Sequence, residues 1–450
     1  MSENLLKLKI KEFRAIKEAD IELNGITVIS GINASGKSTI SKLLYYLVKS
    51  LNEYDKLVLN NLSQELHRYM RLLDDFEREI FIRKREGKVS NLKELRKKRY
   101  FRDRDFINSL LQENELLEYV DLLFNELKST YKEYKSEIAI RDIKRLQEVL
   151  KQNDNSNNLD TIAHQFKTDI TASFKKAREN LENRPKKIIS QRIQNIFSDS
   201  NVDNKYALFE YDNPIISSEN RSIPILHFAR KVAYIDTPMS IGLETFSGHT
   251  DYWDDLNAIL KTKYNSNVND TDLYQIIYKD ILSGEAGSVD EYDIMFSDDD
   301  FVFKRDDGKS FDLLDCATGV KSFSILQILL KRGFISDETL LIIDEPEAHL
   351  HPQWIVEYAR LIVLLNKKLG TKFLISTHNP DLVSAIKYIS EKELSKGKLT
   401  YYLAEPSKDD LYMFKYSNLG VNISKIFNSF NISLDRINQY GVSDDDDEED

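Results

Sequence analysis

Three short groups of residues could do chemistry. Gly31, Gly36, Lys37 and Ser38 stand in "GINASGKST" at the spacing G-x-x-x-x-G-K-[ST]. Glycines at those places let backbone N–H groups turn toward phosphate oxygens, and a following helix adds the partial positive charge of its N-terminus. Lys37 can then reach the terminal phosphates and Ser38 can ligate Mg²⁺. Asn33, Ala34 and Ser35 within the loop, and Thr39 just after it, belong to the same cradle. The second group is Asp344 and Glu345, delivered by the apolar run "LLIIDEPEAHLHPQW". Carboxylates at the C-terminal end of a strand lie where open α/β sheets bind ligands. Asp344 there would hold Mg²⁺ through water, and Glu345 would polarise an attacking water. The third is His378, which ends "FLISTHNP" and could donate to a γ-phosphate.

These groups need elements to place them. "LLKLKIKEF", "ADIEL" and "GITVIS" read as strands, and "STISKLLYYLVKSL" carries apolar residues at three- and four-residue spacing, predicting a helix from about Ser38. Strand, glycine loop and helix thus follow in the order a phosphate site requires. From 52 to 199 the chain is charged, nearly free of glycine and helical in its apolar spacing, with Pro185 its only proline. Long helices are expected there, as a hairpin, a small bundle or a coiled coil, with a turn at "EGKVSN" (86–91) and a polar break at "KQNDNSNNLD" (151–160). Beyond 199 strand signals return, and "TLLIID" and "KFLIST" are apolar enough for central strands covered on both faces. The expected fold class is α/β, with lobes at 1–51 and 200–435, a helical insertion at 52–199 and a solvated acidic tail at 436–450.

Composition narrows the function. The net charge of −11 argues against a protein coated in nucleic acid, although a basic segment at 83–104, "RKREGKVSNLKELRKKRYFRDR", is a candidate for DNA phosphates or else a solvated helix face. The single cysteine, Cys316, permits no internal disulfide and reads as a small buried hydrophobe. No run approaches a membrane span and "MSENLLKLKI" lacks the apolar block of a signal peptide, so no membrane partner and a cytoplasmic location are expected.

The order glycine loop, acidic strand end and Ser-Thr-His resembles an ATP-binding-cassette-type AAA ATPase head of the structural-maintenance-of-chromosomes and overcoming-lysogenization-defect kinds. The run "DEPEAHLHP" is especially similar to the second kind, and "ATGVKS" falls where the family has its signature motif. Similarity covers about 1–50 and 200–435; the insertion matches only in being helical. The resemblance implies ATP and Mg²⁺ as ligands and a homo-oligomer built through the heads, in which Thr318 and Gly319 contact the γ-phosphate of the partner's ATP and Ser322 begins the helix behind them. Val320 and Lys321 depart from the usual signature, where a second glycine and Gln or Glu are common. Arg14 in "FRAI" is similar to the arginine that approaches the nucleotide in such heads, a surface arginine being the other reading, and Asp236 in "AYIDTP" is the nearest candidate for the glutamine loop and a further metal contact. His349 and His351 fall in the loop after the acidic strand rather than in a metal site. About 70 residues follow His378, too few for an added nuclease domain of usual size. Such ATPases resemble the stand-alone subunits of Septu-like or PARIS-like phage-defence systems, which implies a separate effector, a nuclease or toxin. A DNA-binding clamp or repair ATPase is the alternative. An autonomous nuclease and a transporter cassette fit the sequence less well.

Overall fold

The computed structural model describes residues 5–83, 109–134, 159–236, 251–264, 288–291, 301–304, 308–428 and 439–440. The chain forms two compact units, one of residues 1–52 and 189–450, the other of residues 53–188.

The first unit is built on a ten-stranded sheet. Its strands are β1 (Leu6–Phe13), β2 (Ile16–Leu23), β3 (Ile26–Ser30), β4 (Tyr206–Glu210), β5 (Asn213–Ile216), β6 (Lys231–Ile235), β10 (Thr339–Asp344), β11 (Lys372–Thr377), β12 (Leu399–Pro406) and β13 (Phe414–Gly420), in the order β5-β4-β1-β2-β13-β12-β3-β11-β10-β6. A separate sheet pairs β7 (Ser288–Glu291), β8 (Phe301–Lys304) and β9 (Ser310–Asp312). Strands β12, β3, β11, β10 and β6 are mutually parallel. Every residue of β3, β10 and β11 is buried, which is why their sequences carry apolar residues without alternation. On the other side, β1, β2 and β4 form an antiparallel ribbon with alternating burial. The sheet is therefore mixed, and its parallel half carries the three groups of residues singled out above.

Four helices of this unit matter to the site. α1 (Lys37–Asn52) follows the glycine loop and touches β6, β10 and β11. The others are Thr318–Lys331 (here α7), Pro352–Leu369 (α8) and Pro380–Glu393 (α9). Residues 189–199, assigned to the insertion by composition, belong instead to the unit that carries the sheet. Ile189, Ile193 and Phe197 are buried there, and Phe197 meets Phe13 edge-on at 5.2 Å. Their charged flanks made them look like the helices before them, whereas their apolar face belongs to this core.

Within the second unit, α2 (Tyr54–Arg83), α3 (Glu113–Tyr134) and α4 (Leu159–Asn183) each pack against the other two. The described residues thus form a three-helix bundle. Phe166 is fully buried, with Tyr69 at 5.0 Å and Phe124 at 5.8 Å. The expected turn at 86–91, most of the basic segment 83–104, most of the break at 151–160 and all of the acidic tail except 439–440 lie outside the described residues. Among the described residues, no helix is long and apolar enough to cross a membrane.

Candidate functional site

The glycine loop runs from the end of β3 to the start of α1 and closes one wall of a cavity of about 290 Å³. Asn33, Ala34, Ser35 and Gly36 line it from the loop, and Lys37, Ser38 and Thr39 from the first turn of the helix. Arg14 and Ala15, between β1 and β2, and Glu345, just past β10, complete it. Gly36 has φ +98°, and a Cβ there would lie 2.8 Å from Ile16 Cγ1, so this position demands glycine twice over. A Cβ on Gly31 would lie 2.7 Å from that of Ala404, a second close approach. From behind the loop, the Tyr416 hydroxyl of β13 donates to the Ser35 carbonyl at 3.0 Å.

Backbone strain gathers around this cavity. Arg14, Ala34 and Glu345 all have left-handed φ values, 53°, 64° and 50°. Residues without glycine's freedom hold such conformations only where the surroundings impose them, and they cluster at functional sites.

Lys37 is buried, its Nζ donating to the carbonyls of Gly31 at 2.9 Å and Ile32 at 3.0 Å. Burial pushes its pKa down, and the carboxylates of Glu345, Asp344 and Glu347 oppose that shift. Asp344 is buried as well, and Tyr234 Oη donates to its Oδ2 at 3.0 Å. Burial raises its pKa, countered by the hydroxyls of Ser38, Ser376 and Tyr234. Asp344 Oδ1 is left without a protein hydrogen-bond partner. A buried carboxylate oxygen that lacks a donor, beside the Ser38 hydroxyl and below the phosphate cradle, suits a hard divalent cation that takes oxygen ligands. Among the described residues no group of three or more His, Cys, Asp or Glu side chains could hold a metal by itself, and Mg²⁺ in such sites shares its coordination with phosphate and water.

Glu345 follows Asp344, its N–H donating to the Ser376 carbonyl at 2.8 Å. The parallel register that sets Asp344 opposite Ser376 brings the ends of β10 and β11 together. His378 Nδ1 consequently lies 3.4 Å from Glu345 Oε1 and 3.6 Å from Glu347 Oε1. His378 stays at the strand end because Asn379 caps α9, accepting from Leu382 N at 3.0 Å, and Pro380 opens the helix.

Of the remaining expected residues, Arg14 alone belongs to the cavity lining. Arg14 lines the cavity, but its guanidinium bonds the Phe197 carbonyl at 3.1 Å and sits 4.9 Å from that ring. Asp236, just after β6, is outside the cavity lining; it accepts from Tyr252 Oη at 3.2 Å and faces Lys42 Nζ at 3.9 Å. Thr318, Gly319 and Ser322 open α7 and are also absent from that lining. Gly319 packs near Leu350, and the Ser322 hydroxyl is buried and returned to the Thr318 carbonyl at 3.2 Å, so Thr318 is the more exposed of the three. His349, at φ 64°, and His351, the residue before α8, form the turn after the acidic strand. Sequence reasoning missed Glu347, Tyr234 and Tyr416. Glu347 carried a signal, as the third acid of "DEPE", whereas nothing in "AYID" separated Tyr234 from its neighbours.

Solved structures similar to this chain include two Smc heads. One is the Smc head domain with an extended coiled coil bound to the C-terminal domain of ScpA from Pyrococcus furiosus, at 12% identity over 96% of this chain and 98% of that one, with a TM-score of 0.32. The other is the Smc head domain with a coiled coil and joint from Pyrococcus yayanosii, at 10% identity over 95% and 99%, with a TM-score of 0.36. Scores this low transfer nothing from those heads to this chain. No curated protein matches it. The model of the AAA ATPase domain family matches residues 4–383, a span that includes the glycine loop, the acidic strand end and His378. The chain therefore belongs to the AAA ATPase domain family and is an ATPase of that kind.

Proposed function

We propose that this ATPase is a nucleotide-operated switch whose heads associate around ATP and control a separate effector, a nuclease or toxin, in anti-phage defence. The observation that carries the association is the composition of the cavity. Its lining comes from the glycine loop, α1, Arg14, Ala15 and Glu345, and does not include Thr318 or Gly319 at the start of α7. A second copy that brings its own Thr318 and Gly319 to the open side would complete the enclosure. Support for the effector is the resemblance of "DEPEAHLHP" to stand-alone defence ATPases, which is an analogy of family.

The residues divide the work as follows. Lys37 exchanges the carbonyls of Gly31 and Ile32 for the terminal phosphates, and the loop N–H groups take the remaining oxygens. Ser38 and Asp344 would hold Mg²⁺, which would supply neutralisation of phosphate charge. Glu345 orients and polarises the attacking water, and His378 donates to the γ-phosphate. Slow turnover suits such a device, because the ATP-bound state is the signal and hydrolysis ends it.

The test is a pull-down of Glu345→Gln protein expressed with its neighbouring genes, identifying both bound protein and nucleic acid. A stoichiometric nuclease or toxin is the expected catch. DNA alone, released as salt rises and lost on charge reversal at Arg96, Lys97, Lys98 and Arg99, would replace the switch with the clamp. DNA cleavage by the purified chain alone would refute the division of labour.

A further inference from the structure

We propose that Glu347 is a positioning residue for hydrolysis: its carboxylate holds His378 by backbone and ring together, and so sets the distance between His378 and Glu345. The inference rests on the roles given above to Glu345 and His378.

Glu347 is only 7% exposed, an unusual place for a carboxylate unless its oxygens are used. Oε1 accepts from the Thr377 hydroxyl at 2.6 Å and from the His378 N–H at 3.1 Å. The same oxygen lies 3.6 Å from Nδ1 of the imidazole, and Glu345 Oε1 lies 3.4 Å from that nitrogen. One acid therefore grips the last residue of β11, the backbone of the next residue and the ring of that residue, from the turn that leaves β10. Oε2 has no protein partner, so what the structure gains from this buried acid is concentrated on Thr377 and His378. A residue that only filled space would need none of these contacts.

The experiment measures kcat and the ATP dissociation constant for Glu347→Ala, Glu347→Gln, His378→Ala and the double variant Glu347→Ala/His378→Ala, with thermal melting as the control for folding. Removing a positioned catalytic donor typically slows turnover by about 10²-fold, and loss of its anchor is expected to cost on the order of tenfold, with ATP affinity within about twofold of the parent. The double variant is expected to be no slower than His378→Ala, because the anchor has nothing left to position. Glu347→Gln keeps an acceptor oxygen for Thr377 and the His378 N–H, and is expected to recover most of the rate. If Glu347→Ala does not fold, Glu347→Asp carries the same test by withdrawing the carboxylate one methylene. Parental turnover in whichever of these two is used, multiplied losses in the double variant, equal losses of affinity and rate, or no recovery with Gln would each overturn the proposal. Those results leave the reading of His378 intact; parental turnover in His378→Ala would refute that reading and the proposal with it.

Discussion

Tyr234→Phe isolates one hydrogen bond at the centre of the site. Tyr234 Oη donates to Asp344 Oδ2 at 3.0 Å, and both side chains are buried. Phenylalanine keeps the ring, which packs against Tyr252 at 4.9 Å and Tyr45 at 5.8 Å, so the change removes a hydroxyl and little packing. Asp344 Oδ1 already lacks a protein partner, so the carboxylate would be held less firmly in the rotamer that would present that oxygen to a cation. A hydrogen bond to a charged group contributes about 1.5–3 kcal/mol, which converts to roughly a 10- to 100-fold loss in binding of whatever depends on the ordered carboxylate. The dependent quantity is the Mg²⁺-assisted part of ATP affinity. The assay is titration with a fluorescent ATP analogue, once with Mg²⁺ and once with EDTA. Affinity should fall in Mg²⁺ and hold in EDTA. An equal fall in both, or none in either, would show that Tyr234 does not act through the cation site.

Three other perturbations test separate parts of the argument. Gly36→Ala forces a side chain into φ +98° and against Ile16 Cγ1; a strain of about 1–3 kcal/mol is expected, with ATP binding lost in the same titration while the chain still melts cooperatively. Lys37→Ala should abolish ATP-dependent association of heads and Glu345→Gln should stabilise it, as read by light scattering after size exclusion; identical mass distributions with and without ATP would contradict the switch. Phe166→Ala removes the aromatic centre of the helical bundle and should destabilise it by about 3–5 kcal/mol in urea, where a cost under 1 kcal/mol would mean that Phe166 is not the packing centre.

The phosphate loop and the acidic strand end were legible in the sequence because their chemistry depends on local spacing. Glycines at 31 and 36, a lysine at 37 and a serine at 38 suit a phosphate-type loop between a buried strand and a helix, and an unbroken apolar run before Asp344 suits a strand inside a covered sheet. The bundle was legible as helices but not as three mutually packed ones, since helical spacing reports an apolar face and not what covers it. The helical residues up to Phe197 were grouped with the insertion for the same reason, because the surface that buries Phe197 comes from Phe13, far away in sequence.

Tertiary structure decided which further residues reach the motif residues. Tyr234 reaches Asp344 because β6 pairs beside β10, Tyr416 reaches Ser35 from β13, and Glu347 reaches His378 because β10 and β11 run parallel with Asp344 opposite Ser376. Asp236, nominated from its place in the chain, accepts from Tyr252 and faces Lys42, while Tyr234, two residues before it, donates to Asp344. A motif specifies its own backbone through neighbours a few residues away, and so it can be read from sequence. The groups that orient its side chains arrive through strand order and register, which join residues as much as 381 positions apart, as Tyr416 and Ser35 are, and no local pattern records that pairing.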